Sequence, residues 1–303
     1  MIVRTRKARW ATKMHMSHSA ARACHRIFAS RAWPRVLPAV FACVVAVLAV
    51  ELQGLSALAA DMGAREVTEA LVKASRETPA DFSGHDLTYL DLSSLDFKGA
   101  KMSDADLYGT DFTGANLANA DLSFTRLDRS VLIRADFSGA NLADATILRP
   151  TVFSDMSFDQ DDAPSFRGAM MQRVRVQARM DGADFSNADL TEADFSPYER
   201  RAGEGTITTV PRNELMNAKF VNARMTKANF ARAVMRFADM RGADLTGANL
   251  RNAELVGANL EGANLSGADV TGADFTRVNL RGARGLDTAI GLDAALNMDA
   301  ATR

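Results

Sequence analysis

Beyond residue 60 the sequence has no cysteine and a single histidine, His85. Cys24, Cys43, His15, His18 and His25 all precede that point. A Cys/His zinc site, a cysteine nucleophile and a disulfide framework are therefore excluded from the main body. A Ser-His-Asp triad would have to be built on His85. Acidic residues are scarce at one end: residues 1–59 carry nine basic side chains and one acid, Glu51. Removing these from the 36 Lys+Arg and 37 Asp+Glu of the chain leaves 27 basic and 36 acidic residues over 60–303, a net charge of −9. A basic nucleic-acid binder is disfavoured for that part.

The first 59 residues read as an address. A basic stretch without acids, residues 1–35, is followed by the apolar run 36–50, VLPAVFACVVAVLAV, and then by Ala57-Leu58-Ala59. This is the order of a secretory signal peptide, with cleavage expected after Ala59. Residues 36–60 could instead remain as an uncleaved membrane anchor, since a spanning helix needs about 20 residues. Export to the periplasm or the exterior is expected in the first case, membrane attachment in the second.

From residue 82 a large apolar residue recurs every five positions. The series begins Phe82, Leu87, Leu92, Phe97, Met102, Leu107, Phe112, Leu117 and continues to Val152, with Phe137 in step. A small residue often stands two places earlier and Asp or Asn between, as in Ala115-Asn116-Leu117. Phe166, Met171 and Val176 hold one phase, and Met180 to Phe195 another. Leu215 resumes the second phase, which runs through Leu245, Leu250, Leu260, Leu265 and Phe275 to Leu280.

A period of five suits neither a helix nor a flat strand. A helix would advance such residues by 140° each time, and a strand would alternate their faces. A coil that turns a corner every five residues places all of them inside. Phe97, Leu117, Phe137, Leu245, Leu250, Leu260, Leu265 and Phe275 are then core. The alanine two places earlier also points inward, and the residue between points to solvent, which suits Asp and Asn. Two places after the central residue glycine is frequent, as expected of a corner with positive φ. Arg277 at such a position implies that some corners do without it.

On these residues the chain resembles the pentapeptide repeat family, whose pattern is A(D/N)LXX, over residues 80–283. The resemblance implies an all-β solenoid, a right-handed quadrilateral β-helix of about nine or ten coils. Ends of a solenoid need covers. Residues 60–79, with Val67, Leu71 and Val72, read as a helical cap. Residues 284–303 place Leu286, Ile290, Ala294 and Leu296 near helical spacing and read as a second one. The repeat is interrupted at 153–165 and 196–214, the latter either an exposed loop or a distorted coil.

Outward Asp and Asn mix with Lys and Arg from rung to rung, which fits a solvated face better than a cation site. His85 falls at a small interior position and reads as a packed imidazole. No catalytic residue, metal or cofactor is expected. Arg173, Arg175 and Arg179 alternate with apolar residues and should share an outer face. With Tyr198, Arg200 and Arg201 of the second interruption they are the candidate partner-binding residues. The resulting expectation is an exported, non-enzymatic solenoid that binds an as yet unidentified protein partner. The family resemblance implies an alternative, because some members mimic B-form DNA and inhibit DNA gyrase.

Overall fold

The computed structural model describes residues 60–155, 159–197 and 212–303. The leader or anchor expected at 1–59 lies outside these residues. Among the described residues no helix is long and apolar enough to cross a membrane.

One pentad shows why the chain coils. Asn249 N–H donates to Ala228 O on the rung before, at 2.9 Å. Leu250 and Asn252 donate to Asp269 O and Thr271 O on the rung after, at 2.8 and 2.9 Å. Ala253 N–H closes the turn on Leu250 O at 3.0 Å. The fifth amide, Arg251 N–H, meets no carbonyl and is taken by Asn249 Oδ1 at 3.1 Å. Every backbone donor of the pentad is thus satisfied, as burial in a stacked coil demands. The outward Asp or Asn is not merely solvated: it serves as the acceptor for the amide two residues on, as Asp81 does for Ser83 and Asp274 for Thr276.

The pairing is parallel throughout, rung on rung. It runs in four columns that begin at Asp81, Asp86, Asp91 and Asp96, here numbered as the first to fourth faces. The first face reads Asp81, Lys101, Asp121, Asn141, Met170, Asp189, Arg224, Asp244, Asn264, Arg284, which makes ten coils. The fold is a right-handed quadrilateral β-helix. At roughly 4.8 Å per rung the coil stack is about 45 Å long. A short regular ladder pairs β1 (Thr146–Leu148) with β2 (Arg175–Gln177).

Phe97, Leu117, Phe137, Leu245, Leu250, Leu260, Leu265 and Phe275 are each 0% exposed. Phe137, Phe166, Phe185 and Phe220 stack successively at 5.0, 5.0 and 4.9 Å between ring centroids. Phe195 and Phe230 form a second stack at 4.7 Å, edge-on to the first. Where serine or threonine replaces the inner alanine, its hydroxyl is absorbed locally: Thr110 Oγ1 donates to Leu87 O at 2.7 Å.

The first, second and fourth columns run unbroken past the interruptions, while the third has no bridge between Thr151 and Arg179. Thr151 and Ser165 occupy consecutive faces, and the stretch between them contains a 3-10 turn, Gln160–Asp162. Arg175 and Arg179 also stand on consecutive faces, so that side is one residue short and the phase slips. Asp194 and Glu214 are again consecutive. The twenty-residue step from Phe195 to Leu215 therefore spans one side, fifteen residues more than a regular side needs. Residues 198–211 of it are outside the described set. Asn213, 0% exposed, repairs the short side: its Oδ1 accepts from Ala178 N–H, and its Nδ2 donates to Val176 O and Phe195 O.

The two ends differ from each other. Helix α1 (Ala64–Lys73) buries Val67 and Leu71 in the same apolar cluster as Phe82. Val72 is 75% exposed, because it is turned about 140° from Val67 on the helix. Glu66 Oε2 accepts from Gly63 N–H at the start, and Lys98 Nζ donates to Leu71 O and Ala74 O at the end. The helix expected over 284–303 is not formed. The chain there makes a tenth coil with six-residue sides, pairing Ile290, Leu296 and Thr302 with Asp269, Asp274 and Asn279. Each extra residue is absorbed in a turn, with 3-10 geometry at Leu292–Ala294 and Met298–Ala300. The repeat GLDTAI-GLDAAL-NMDAAT imitates helical spacing because Leu286 and Ile290 fall four apart.

The corner at Arg277 does not escape positive φ: it has φ 55°. The left-handed geometry aims a corner amide at the next rung, as in Phe237 N–H to Val256 O at 3.0 Å, which offsets strain in a non-glycine residue. Bulky corner residues drape over a glycine one rung on. A Cβ at Gly257 would lie 2.6 Å from the Phe237 ring, whereas one at Gly267 would meet nothing within 4 Å.

Two outcomes follow for denaturation measurements. Phe185→Ala removes the middle of the ring stack and is expected to cost about 3–5 kcal/mol in urea unfolding, while Asn249→Ala, which orphans one amide, costs about 1 kcal/mol. Gly257→Ala lowers the melting temperature more than Gly267→Ala, both sharing a left-handed strain of about 1–2 kcal/mol.

Candidate partner-binding surface

Arg173, Arg175 and Arg179 do not share one face, contrary to the expectation from alternation. A corner intervenes between each. Arg173 stands at the edge between the first and second faces at φ 57°, Arg175 on the second face and Arg179 on the third. Each is engaged by acids. Arg173 makes two hydrogen bonds to Asp144 on the preceding rung, at 2.8 and 2.6 Å. Arg175 pairs with Asp194 at 2.7 Å. Arg179 lies between Asp181 and Glu214 at 2.9 and 3.1 Å. Tyr198, Arg200 and Arg201 lie outside the described residues.

The same pairing recurs over the skin. Arg167 meets Asp184, Arg251 meets Asp269, and Arg212 and Arg236 both meet Glu254. These are half-exposed pairs, worth only about 0–1 kcal/mol each. Their consequence is distribution: every column carries at least one cation among its acids. Asparagines form a further ladder, with Asn249 Nδ2 donating to Asn229 Oδ1 at 3.0 Å. His85 is half-buried in the first coil, its carbonyl accepting from Asp106 N–H. Among the described residues no three Asp, Glu, His or Cys side chains converge as a metal site.

The edge between the second and third faces is different. A concavity of about 570 Å³ opens there, lined by Tyr89, Tyr108, Gly109, Arg129, Arg149 and Thr151. Tyr89 is a corner residue with φ 59° and is 70% exposed. Its ring lies over Gly109, where a Cβ would come within 2.6 Å of it. It meets Tyr108 edge-on at 5.4 Å and 77°. Arg126 sits 4.6 Å from the centre of the Tyr108 ring and is fixed by two hydrogen bonds to Asp106, at 2.9 and 2.6 Å. Asp128, the acid closest in sequence, is turned inward: it accepts from Leu148 N–H at 3.1 Å. Burial raises its pKa, a rise that hydrogen bonds from Thr146 and the Leu148 amide restrain.

None of these lining residues follows from the five-residue pattern, which describes core positions. A corner position sampled every twenty residues would have revealed four of the six, since Tyr89, Gly109, Arg129 and Arg149 are spaced so.

Several carboxylates in the outward columns, among them Asp81, Asp91, Asp184, Asp239, Asp269 and Asp274, are held below their ordinary range. For Asp91 the Ser93 hydroxyl is the main cause, followed by the Ser93 amide. For Asp269 and Asp274 burial pushes upward, and the Thr271 and Thr276 hydroxyls and amides outweigh it.

The family model for pentapeptide repeats matches residues 80–114, 115–147, 176–196, 214–252 and 243–282, in eight copies. Solved structures of similar proteins include HetL of the cyanobacterium Nostoc sp. strain PCC 7120, a pentapeptide repeat protein involved in heterocyst differentiation regulation. It is 24% identical, covering 78% of this chain and 94% of its own, with a TM-score of 0.33. QnrB1, a plasmid-mediated fluoroquinolone resistance protein, is 19% identical over 69% of this chain and 90% of its own, with a TM-score of 0.29. A pentapeptide repeat protein of the Arabidopsis thaliana thylakoid lumen is 23% identical over 43% and 76%, with a TM-score of 0.23. No curated protein matches the chain. Such loose overlays carry no functional argument, and membership rests on the repeat match.

The lowered carboxylate pKa values fix the sign of the acid response. Their stabilisation is fully present above the unfolded value of about 3.9 and is lost as pH falls through the lower folded values. Thermal melts followed by circular dichroism should show a plateau from neutral pH down to about pH 5 and a steep fall below about pH 4.

Proposed function

The chain belongs to the pentapeptide repeat family, and on that premise we propose that it acts as an exported, non-enzymatic scaffold that binds a protein partner on its outer surface. The supporting observation is how the polar residues are used. Outward Asp and Asn cap amides of their own turns, and arginines are held by acids of neighbouring rungs. What such a molecule offers is a stiff body with patterned faces. Export is supported by the sequence of residues 1–59.

A DNA mimic that inhibits gyrase is the second reading, supported by the net charge of −9 over residues 60–303. Against it, Arg126 and Arg175 interrupt the acids of the second face, and Lys101 and Arg224 those of the first. A mimic needs an unbroken acidic stripe.

Capture from the exported fraction by the intact chain should yield a specific partner, and a gyrase supercoiling assay with residues 60–303 should show no inhibition. Robust inhibition, together with recovery of the chain from the cytoplasm on fractionation, would reverse the order of the two readings.

A further inference from the structure

We propose that the concavity between the second and third faces binds an acidic peptide segment of a protein partner. A carboxylate of that segment is gripped between Arg129 and Arg149, and a neighbouring apolar side chain rests on Tyr89 and Tyr108. This rests on the protein-binding reading above and assigns the partner's chemistry.

The first argument is an electrostatic imbalance. Arg129 and Arg149 occupy one corner on successive rungs, with Arg129 N–H bonded to Leu148 O at 2.9 Å. Their backbones are therefore about 4.8 Å apart. Many other arginines are neutralised by an acid of an adjacent rung, as Arg126 is by Asp106 and Arg173 by Asp144. Among the described residues no acid pairs with Arg129 or Arg149. Arg232, Arg277, Arg281 and Arg284 also lack an acid partner among the described residues, but their neighbours one rung away are Asn252, Gly257, Glu261 and Asn264, so none has a second cation beside it there. Like charges on adjacent rungs repel, and an anion placed between them converts that cost into attraction. Guanidinium forks suit a carboxylate.

The second argument is the floor. Tyr89 is pinned against Gly109 and edge-on to Tyr108, and Tyr108 is covered by a guanidinium that Asp106 holds in place. This exposed aromatic surface is fixed before any ligand arrives, which lowers the ordering cost of binding. A volume of about 570 Å³ accommodates a few side chains, not an extended polymer.

The third argument selects the ligand class. The flanking faces present Asp86 and Asp106 on one side and Asp91 and Asp111 on the other. A nucleic acid or anionic membrane would meet these carboxylates at every step. A short segment with one or two acids beside an apolar residue meets only the cations and the rings.

The test is calorimetric titration of the full chain at low salt with acetyl-Gly-Phe-Glu-Glu-Phe-Gly-amide. A peptide with Gln in place of both Glu serves as control. Saturable 1:1 binding is expected, weakened at least about tenfold by the Gln peptide. The Arg129→Asn/Arg149→Asn pair should weaken it comparably, and Arg232→Asn/Arg277→Asn should leave it unchanged. Asparagine tolerates the left-handed corner, so the fold is kept, and unchanged melting curves verify this. Absence of binding at millimolar peptide, equal binding of the Gln peptide, or insensitivity to the Arg129/Arg149 pair overturns the assignment. Displacement of the peptide by an equal concentration of inorganic phosphate also overturns it, in favour of a small-anion site. If the Asn pair still captures the same partner from the exported fraction, this site falls while the protein-binding reading stands; if the intact chain captures none, that reading falls.

Discussion

One amide in five decides the character of this protein. In a regular five-residue side four backbone N–H groups find carbonyls on their own or an adjacent rung, and the fifth does not. Where the residue before the central apolar side chain is Asp or Asn, it supplies the missing acceptor through a short side chain ending in oxygen, as Asn249 does for Arg251. An unmade hydrogen bond in a tightly stacked coil is costly. The acids of the surface are thus consequences of backbone geometry before they are a feature of charge. A surface chosen for internal reasons leaves little freedom for chemistry, and that freedom is confined to corners.

Corners are also where the chain tolerates irregularity. The stretch between Thr151 and Ser165 and that between Phe195 and Leu215 both leave and re-enter at the boundary between faces, and three of the four columns pair continuously past them. The side that is one residue short, between Arg175 and Arg179, is the more serious defect, since it removes backbone partners from the wall. Asn213 answers it from the far end of the longer insertion by presenting amide groups to Ala178, Val176 and Phe195. The two irregularities are therefore complementary and adjacent.

The interior was legible from the sequence because it obeys a single rule: a bulky residue at every fifth place cannot be kept dry in any other simple path. Phe137 and Leu250 follow from that rule alone. The last coil was not legible in the same way. Six-residue sides bring Leu286 and Ile290 to a spacing that a helix also uses, and the glycines that mark the true corners, Gly285 and Gly291, recur too few times to declare a period. The arginines of 173–179 misled for a related reason. Alternation places residues on one side of a strand only where the strand is straight, and here a corner falls between each pair. Arg277 shows that side-chain identity does not report backbone φ here, because a corner hydrogen bond to the next rung, such as Phe237 N–H to Val256 O, can hold a non-glycine residue in place. The aromatic and basic edge was invisible to a five-residue reading, since Tyr89, Arg129 and Arg149 align only at the period of a full coil.

Asn213 has a wider consequence. Its side chain fastens the end of the long excursion to the residue where the excursion begins, Phe195, so the exit and re-entry points are stitched together independently of whatever runs between them. The closure of that corner is made by described residues at both of its ends. Such a port lets a lineage graft, lengthen or cut a peptide there while the architecture beneath stays whole.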